Sequence, residues 1–291
     1  LCAVVGMGLF NHHPLSQVGS SGLWGMGNGF FSSILAMGIL PYLETYFSIT
    51  TDIKLVELTN LNLPLLKRLS IEAPGTYHHS MTVANLAESG AEAIEVNPLL
   101  ARVGAYYHDI GKVIRPYFFF ENYGASKENY HEKITPNLSS TIIISHIKDG
   151  IGLAQQSRLP QVVIDIIAQH HGNGLIAHFY REALLKMSKE GKKESIGEES
   201  FRYPGPKPQT KGAAVVMLAD SVEAAFRFSP QTTPKGITAQ VKKVINNKLK
   251  DNQLDECDLT LKDTAKIIEA FARVLSSAVH TRGRYPAEMV K

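Results

Sequence analysis

The chain has 291 residues, of which 44% are hydrophobic and 20% charged, and its mean hydropathy is close to zero. These values exclude a collagen-like, a wholly disordered and a disulfide-stapled chain. Two cysteines, Cys2 and Cys257, form no framework and point to a reducing compartment, and a net charge of +3 is too small to argue for DNA or RNA as a partner.

The charge is unevenly placed. Residues 1–43 contain no Asp, Glu, Lys or Arg; the first charge is Glu44 and the first cation Lys54, so all 57 charged residues fall in the remaining 248. Such a split suggests one chain in two solvents. The first residue is Leu, which reads as the start of a piece cut from something longer.

Residues 1–10 are apolar and small and read as the tail of a preceding span. Residues 11–29, rich in Gly, Ser and Asn, read as a loop. Gly29–Phe47 then supplies 19 residues with one charge, close to the ~20 that a spanning helix needs. Lys54, Lys67 and Arg68 follow it and no Lys or Arg precedes it, so the positive-inside rule places the C-terminal side in the cytoplasm. Beyond it the apolar spacing is helical almost throughout. The expected helices are Leu55–Leu69 with a break at Pro64, His79–Val96, Pro98–Asp109 capped by Asn97, Ser139–Gln156, Pro160–His171, Gly174–Lys189, Ala213–Phe228, Thr238–Leu249 and Leu259–His280. Residues 112–137 read as a long loop, and 189–211 as a flexible surface excursion. No strand pattern of useful length is visible.

Chemistry-bearing residues gather at the ends or faces of these helices. They are His79, His108 with Asp109, His146, His170 with His171, and Asp220. Imidazole and carboxylate suit first-row transition metals. Both adjacent pairs precede a glycine, where the chain can turn and bring two side chains onto one ion. The negative end of the helix dipole favours a cation at the same place. Any one of these residues alone is a weak signal; the ordered set H…HD…H…HH…D is a strong one.

That set resembles the HD phosphohydrolase superfamily. The stretches APGTYHHS (73–80), NPLLARVGAYYHDIGK (97–112), HHG (170–172), FRYPGPKPQTK (201–211), LADSVEAA (218–225) and DLTLKD (258–263) look more closely like the cytoplasmic domain of the seven-transmembrane HD family, the PgpH-type cyclic di-AMP phosphodiesterases. GILPYLETYFSITTDIKLVELTN (38–60) is similar to that family's last span and juxtamembrane helix. The resemblance implies an all-α, HD-domain helical bundle preceded by a C-terminal transmembrane helix of a truncated membrane domain. Residues 1–51 are then the membrane part and 52–291 the cytoplasmic domain of a multi-pass protein of the bacterial cell membrane.

The resemblance also implies two divalent transition-metal ions, iron or manganese. His79, His108, Asp109 and Asp220 would hold one; Asp109 would bridge to a second held by His146, His170 and His171. His79 is favoured over His78 because it begins the H-S-M-T-V-A run of the family's first ligand. Two divalent ions against two carboxylates leave a net positive site, which attracts a phosphodiester. The implied reaction is attack of a metal-bridging hydroxide on phosphorus, with Asp109 and Lys112 as the catalytic pair. Lys112, Arg115 and Arg227 are expected phosphate contacts, and Tyr106 and Tyr107 offer faces for a base or for the core. NYHE at 129–132 and GNG after His171 depart from the family pattern and touch substrate contacts, not the metal set.

The expected partners are a cyclic dinucleotide and the membrane, with a homodimer left open. The alternatives are a nucleotide phosphohydrolase of the superfamily and a non-catalytic cyclic-dinucleotide-binding signalling domain. A cyclic di-GMP reading needs a GYP motif after His171, and none occurs. Diiron oxygenase chemistry has no other support in the sequence.

Overall fold

The computed structural model describes residues 14–47, 49–123, 129–189, 197–228, 231 and 233–282. The expectations for residues 1–13, and for 124–128 and 190–196 within the two long loops, lie outside them. The chain divides into two units, Leu1–Thr51 and Asp52–Lys291. Among the described residues there are eleven α-helices and no strand, only an isolated bridge between Leu175 and Arg202.

The first unit contains α1 (Leu15–Phe47), 33 residues or about 50 Å. Its stretch Ser16–Glu44 is long and apolar enough to cross a membrane. Trp24, Phe31, Met37 and Tyr46 are all exposed, so α1 shows its apolar side chains where a water-soluble helix would hide them. The loop expected over 11–29 is corrected from Leu15 onward, because the glycines and serines lie within α1. Turn preferences of Gly and Ser hold in water; in an apolar solvent the backbone must bond to itself, and glycine is common in spanning helices.

The second unit holds α2 (Asp52–Leu58), α3 (Pro64–Glu72), α4 (Pro74–Ala93), α5 (Pro98–Tyr107), α6 (Pro136–Gln156), α7 (Gln161–Gln169), α8 (Ala177–Lys189), α9 (Lys211–Phe228), α10 (Pro234–Lys250) and α11 (Leu261–Arg282). Five of these helices begin at proline, whose fixed φ and missing N–H suit the first turn. Asn97 caps α5 by accepting from Leu100 N at 3.0 Å, and Thr135 caps α6 by accepting from Leu138 N at 3.3 Å. These starts explain why α4 and α6 begin earlier than periodicity alone predicts.

Helices α4 and α9 form the centre. Eight consecutive residues of α9, Gly212–Ala219, are buried, so it is surrounded on all sides. Small side chains make the approach possible: a Cβ on Gly90 of α4 would stand 2.6 Å from the Phe271 ring of α11. Tyr107 is fully buried, with its hydroxyl 3.3 Å from the Leu58 carbonyl, and Tyr106 is buried as well. Both tyrosines therefore serve the core and present no face to a base. Each large apolar side chain so buried contributes roughly 1.5–3 kcal/mol.

The described parts of both long loops hold more local structure than expected. Within 112–137 the chain forms short 3-10 turns at Ile110–Ile114, Pro116–Phe118, Phe120–Asn122 and Tyr130–Lys133. Within 189–211 the described part packs down. Phe201 is fully buried, Ile176 N donates to Phe201 O at 2.9 Å, and Tyr203 N donates to Gly174 O at 3.0 Å. One buried aromatic anchors a stretch whose composition is otherwise that of a solvated loop.

Candidate metal centre

His79 lies on the inner face of α4, and it is buried while His78 is exposed. His108 caps α5 and Asp109 follows it with φ −107° and ψ 16°, outside the helix. The turn out of α5 lets both side chains point the same way. It is held there by a close approach: a Cβ on Gly111 would lie 1.9 Å from the His146 carbonyl oxygen and 2.5 Å from Gly150 N. Gly111 is thus required for contact with α6, beyond the turn expected of it. His146 sits mid-α6, His170 and His171 at the end of α7, and Asp220 on α9. Gly172, at φ +54°, makes the left-handed turn that ends the His-His pair.

The other six residues gather around Asp109. Its Oδ2 is 3.1 Å from His108 Nε2 and 3.4 Å from His79 Nε2; its Oδ1 is 3.3 Å from His146 Nε2 and 3.7 Å from His170 Nε2. Asp220 Oδ1 is 3.1 Å from His79 Nε2, and its Oδ2 is 3.6 Å from His171 Nδ1. Two groups form, His79–His108–Asp109–Asp220 and Asp109–His146–His170–His171, with the ligand atoms of each within 4.8 Å of one another.

The donor set fits divalent ions. Nδ1 of His108, His146 and His170 stands 2.7, 2.6 and 2.8 Å from the carbonyl oxygens of Ala105, Ile143 and Ile167. A carbonyl only accepts, so each Nδ1 carries the hydrogen and each neutral ring turns a bare Nε2 lone pair inward. Two of those atoms, on His146 and His170, face each other at 3.3 Å. His108 Nε2 and both Asp109 oxygens are buried without an aligned hydrogen bond. Lone pairs gathered in this way need a cation between them, a proton or a metal.

Without metal, the charges settle unevenly. Burial pushes the His79 ring down, but the Asp109, Asp220 and Glu223 carboxylates hold it well above its ordinary value. His108, buried yet beside Asp109, is raised to about 9. Burial lowers His146 to about 3, and burial with the neighbouring His170 ring keeps His171 well below its ordinary value. Burial pushes the Asp109 carboxyl up, and Lys112 and His108 outweigh that to hold it well below the carboxylate range.

The centre floors a cleft of about 190 Å³, lined by His79, His146, His171 and Asp220 and by Lys112 and Arg227. Lys112 Nζ is 2.7 Å from Asp109 Oδ2 and 2.8 Å from Glu121 Oε1. Arg115 is not part of this lining; its guanidinium, half-exposed, pairs with Asp149 at 2.7 Å and Ser145 at 2.9 Å. The expectation of a phosphate contact at Arg115 therefore has no support. His131 Nε2 donates to Phe118 O at 2.7 Å and its ring packs on Phe179, away from the cleft lining.

Several cleft residues escape sequence reasoning. Glu223 accepts from His79 Nδ1 at 2.6 Å, Glu121 holds Lys112, and Tyr203 stacks on the His171 ring with centroids 4.3 Å apart. Phe119 and Phe228 complete the walls. The spacing Asp220, Glu223, Arg227 is a single helical stripe, a signal that was present in the sequence.

The model of the HD domain family matches residues 76–225, and that of the 7TM receptor with intracellular HD hydrolase matches residues 1–51. Cyclic-di-AMP phosphodiesterase PgpH of Bacillus subtilis is 46% identical over 270 residues, 93% of this chain and 37% of that protein. PgpH of Listeria monocytogenes is 44% identical over 282 residues, 96% of this chain and 38% of that protein. The chain thus spans well under half the length of these relatives. Among solved structures, the L. monocytogenes phosphodiesterase PgpH HD domain, alone and in complex with cyclic-di-AMP, superposes with a TM-score of 0.69 at 44% identity. The match covers 75% of this chain and 100% or 99% of the solved chain. An all-helical body whose His and His-Asp motifs meet one distant aspartate across α4–α9, with a family match over the same span, makes this chain a member of the HD domain family.

Proposed function

We propose that the chain is the catalytic part of a membrane-anchored phosphodiesterase that opens cyclic di-AMP to linear pApA on the cytoplasmic side of a bacterial membrane. The observation that carries this reading is the pair of four-residue groups sharing Asp109 at the floor of a cleft with Lys112 and Arg227 in its walls. The relatives bear the name cyclic-di-AMP phosphodiesterase, and one solved relative holds that dinucleotide. Lys54, Lys67 and Arg68 after α1 favour a cytoplasmic body, and the seven-transmembrane family match over residues 1–51 favours a multi-pass anchor.

His79, His108, Asp109 and Asp220 would hold one divalent ion, and Asp109, His146, His170 and His171 a second, iron or manganese. Such a pair supplies Lewis acidity to a phosphodiester and brings the pKa of a water down to roughly 7. The chain's own side chains do the rest. Lys112, pushed down by burial but raised further by Asp109 and Glu121, stays an ammonium and orients a phosphate oxygen. Tyr203 keeps its proton because burial raises its hydroxyl, and its side chain lines the cleft against the His171 ring. Water adds to phosphorus, the bond to the 3′-oxygen breaks, and the 3′-oxygen takes a proton. The cleft accepts a phosphodiester with part of its sugar. The exposed Phe228, tilted against Phe120 with centroids 5.0 Å apart, offers an apolar surface at the mouth for the rest.

The test is product identification after incubation with cyclic di-AMP or cyclic di-GMP and Mn²⁺ or Fe²⁺. Release of pApA is expected. No turnover of cyclic di-AMP with both groups metal-loaded overturns the reading, and preferential cleavage of cyclic di-GMP reassigns the substrate.

A further inference from the structure

The histidines of the centre are not held alike. His108, His146 and His170 each use a carbonyl of their own segment, three residues back. That partner is backbone and is present whatever side chain stands there. His79 instead donates Nδ1 to Glu223 Oε2 at 2.6 Å, across 144 residues of sequence. This contact exists only because residue 223 is a carboxylate.

Glu223 is itself fixed. It is 9% exposed, and its Oε1 accepts from Arg227 Nη2 at 2.6 Å and Nε at 3.2 Å. Arg227 Nη1 stands 4.0 Å from Glu121 Oε2, which ties the set to the cleft wall. The carboxylate is therefore oriented on both sides, with one oxygen reserved for His79.

A carboxylate behind an imidazole fixes its tautomer and raises its strength as a ligand, and losing it typically costs about 10–100-fold in metal affinity. The two halves of the centre differ in this respect. The half of His79 and His108 has Asp220 as a second carboxylate and Glu223 behind one ring. The half of His146, His170 and His171 has the shared Asp109 as its one carboxylate within the group, with Asp220 Oδ2 standing off at 3.6 Å from His171 Nδ1, and two of its rings lean on neutral carbonyls.

We propose that Glu223 is a positioning residue that makes the two metal positions unequal, so that the His79–His108–Asp109–Asp220 position fills first and holds its ion more tightly. The inference rests on the metal-dependent reading above and goes beyond it by assigning an order of loading and the side chain that sets it.

The experiment is a titration of the metal-stripped full chain with Mn²⁺, following heat by calorimetry and bound metal by elemental analysis. Two unequal steps are expected. Glu223→Gln keeps the shape, removes the charge and weakens the tighter step by about 10–100-fold, leaving the weaker step in place. Glu223→Asp restores part of the loss. Two equal steps in the unaltered chain, or equal weakening of both steps in Glu223→Gln, overturn the proposal, as does no change in either step. If Glu223→Gln does not fold by circular dichroism, Glu223→Asp carries the test, with the same selective weakening expected. A chain that takes up no metal in any form defeats the metal-dependent reading itself, a result distinct from all of these.

Discussion

On the two sides of Asp109 the same residue type behaves in opposite ways. His79 and His108 gather at Oδ2 and are drawn toward the protonated form, while His146 and His171, on the Oδ1 side, are pushed toward the neutral form. Burial disfavours the charged ring on both sides. The first side has the Asp220 and Glu223 carboxylates within hydrogen-bonding distance of His79, and the second side has mainly other imidazoles. What surrounds a buried histidine decides its charge, and burial alone does not.

The shared carboxylate is where the comparison breaks most sharply. Asp109→Asn should lower turnover beyond the roughly 10²–10³-fold that one electrostatic contact supplies, with helical circular dichroism unchanged. Retained turnover would remove Asp109 from the centre. Next comes the clamp on the second side. Gly111→Ala places a methyl against the His146 carbonyl and should cost about 1–3 kcal/mol by thermal unfolding, together with loss of activity.

The two sides should also differ with pH in the metal-free chain. His108 has a raised folded value of about 9, so its contribution is complete below about 6.5 and is lost as pH climbs through 9. His146 has a depressed value of about 3, so its contribution is present above about 6.5 and is lost as pH falls toward 3. Melting temperature should therefore decline in both directions from near 6.5. Mn²⁺ should release protons mostly from the first side, seen as a buffer-dependent heat. A monotonic profile would contradict the asymmetry. The smallest effect is expected at Arg115→Ala, which removes a half-exposed ion pair worth about 0.2–1 kcal/mol and should leave kcat/KM unchanged.

Asp109 and the six residues gathered around it are legible in the sequence because each sits at a helix end or on an apolar face, beside a glycine or a periodic run. Glu223 carries no such mark, since a glutamate on a helix is ordinarily solvated; only the fold brings α4 against α9 and turns that charge inward. Tyr203 lay inside a stretch with Gly, Pro and Lys, and nothing local announced that Phe201 would bury and carry the tyrosine to His171. The start of α1 departs from the turn preferences that Gly and Ser show in water, because it belongs to a segment with no charges. The interior of α9 was legible as apolar but not as central, because a helix buried on every side has no stripe to read.

The backbone pairing between Gly174–Ile176 and Phe201–Tyr203 joins two stretches of chain separated by α8 and residues 190–196. Phe201, fully buried, acts as the plug of that joint. A protease cut between Lys189 and Gly197 would therefore leave two fragments that stay associated without a covalent link. Tyr203 would remain stacked on His171, and the nicked protein would keep its cleft.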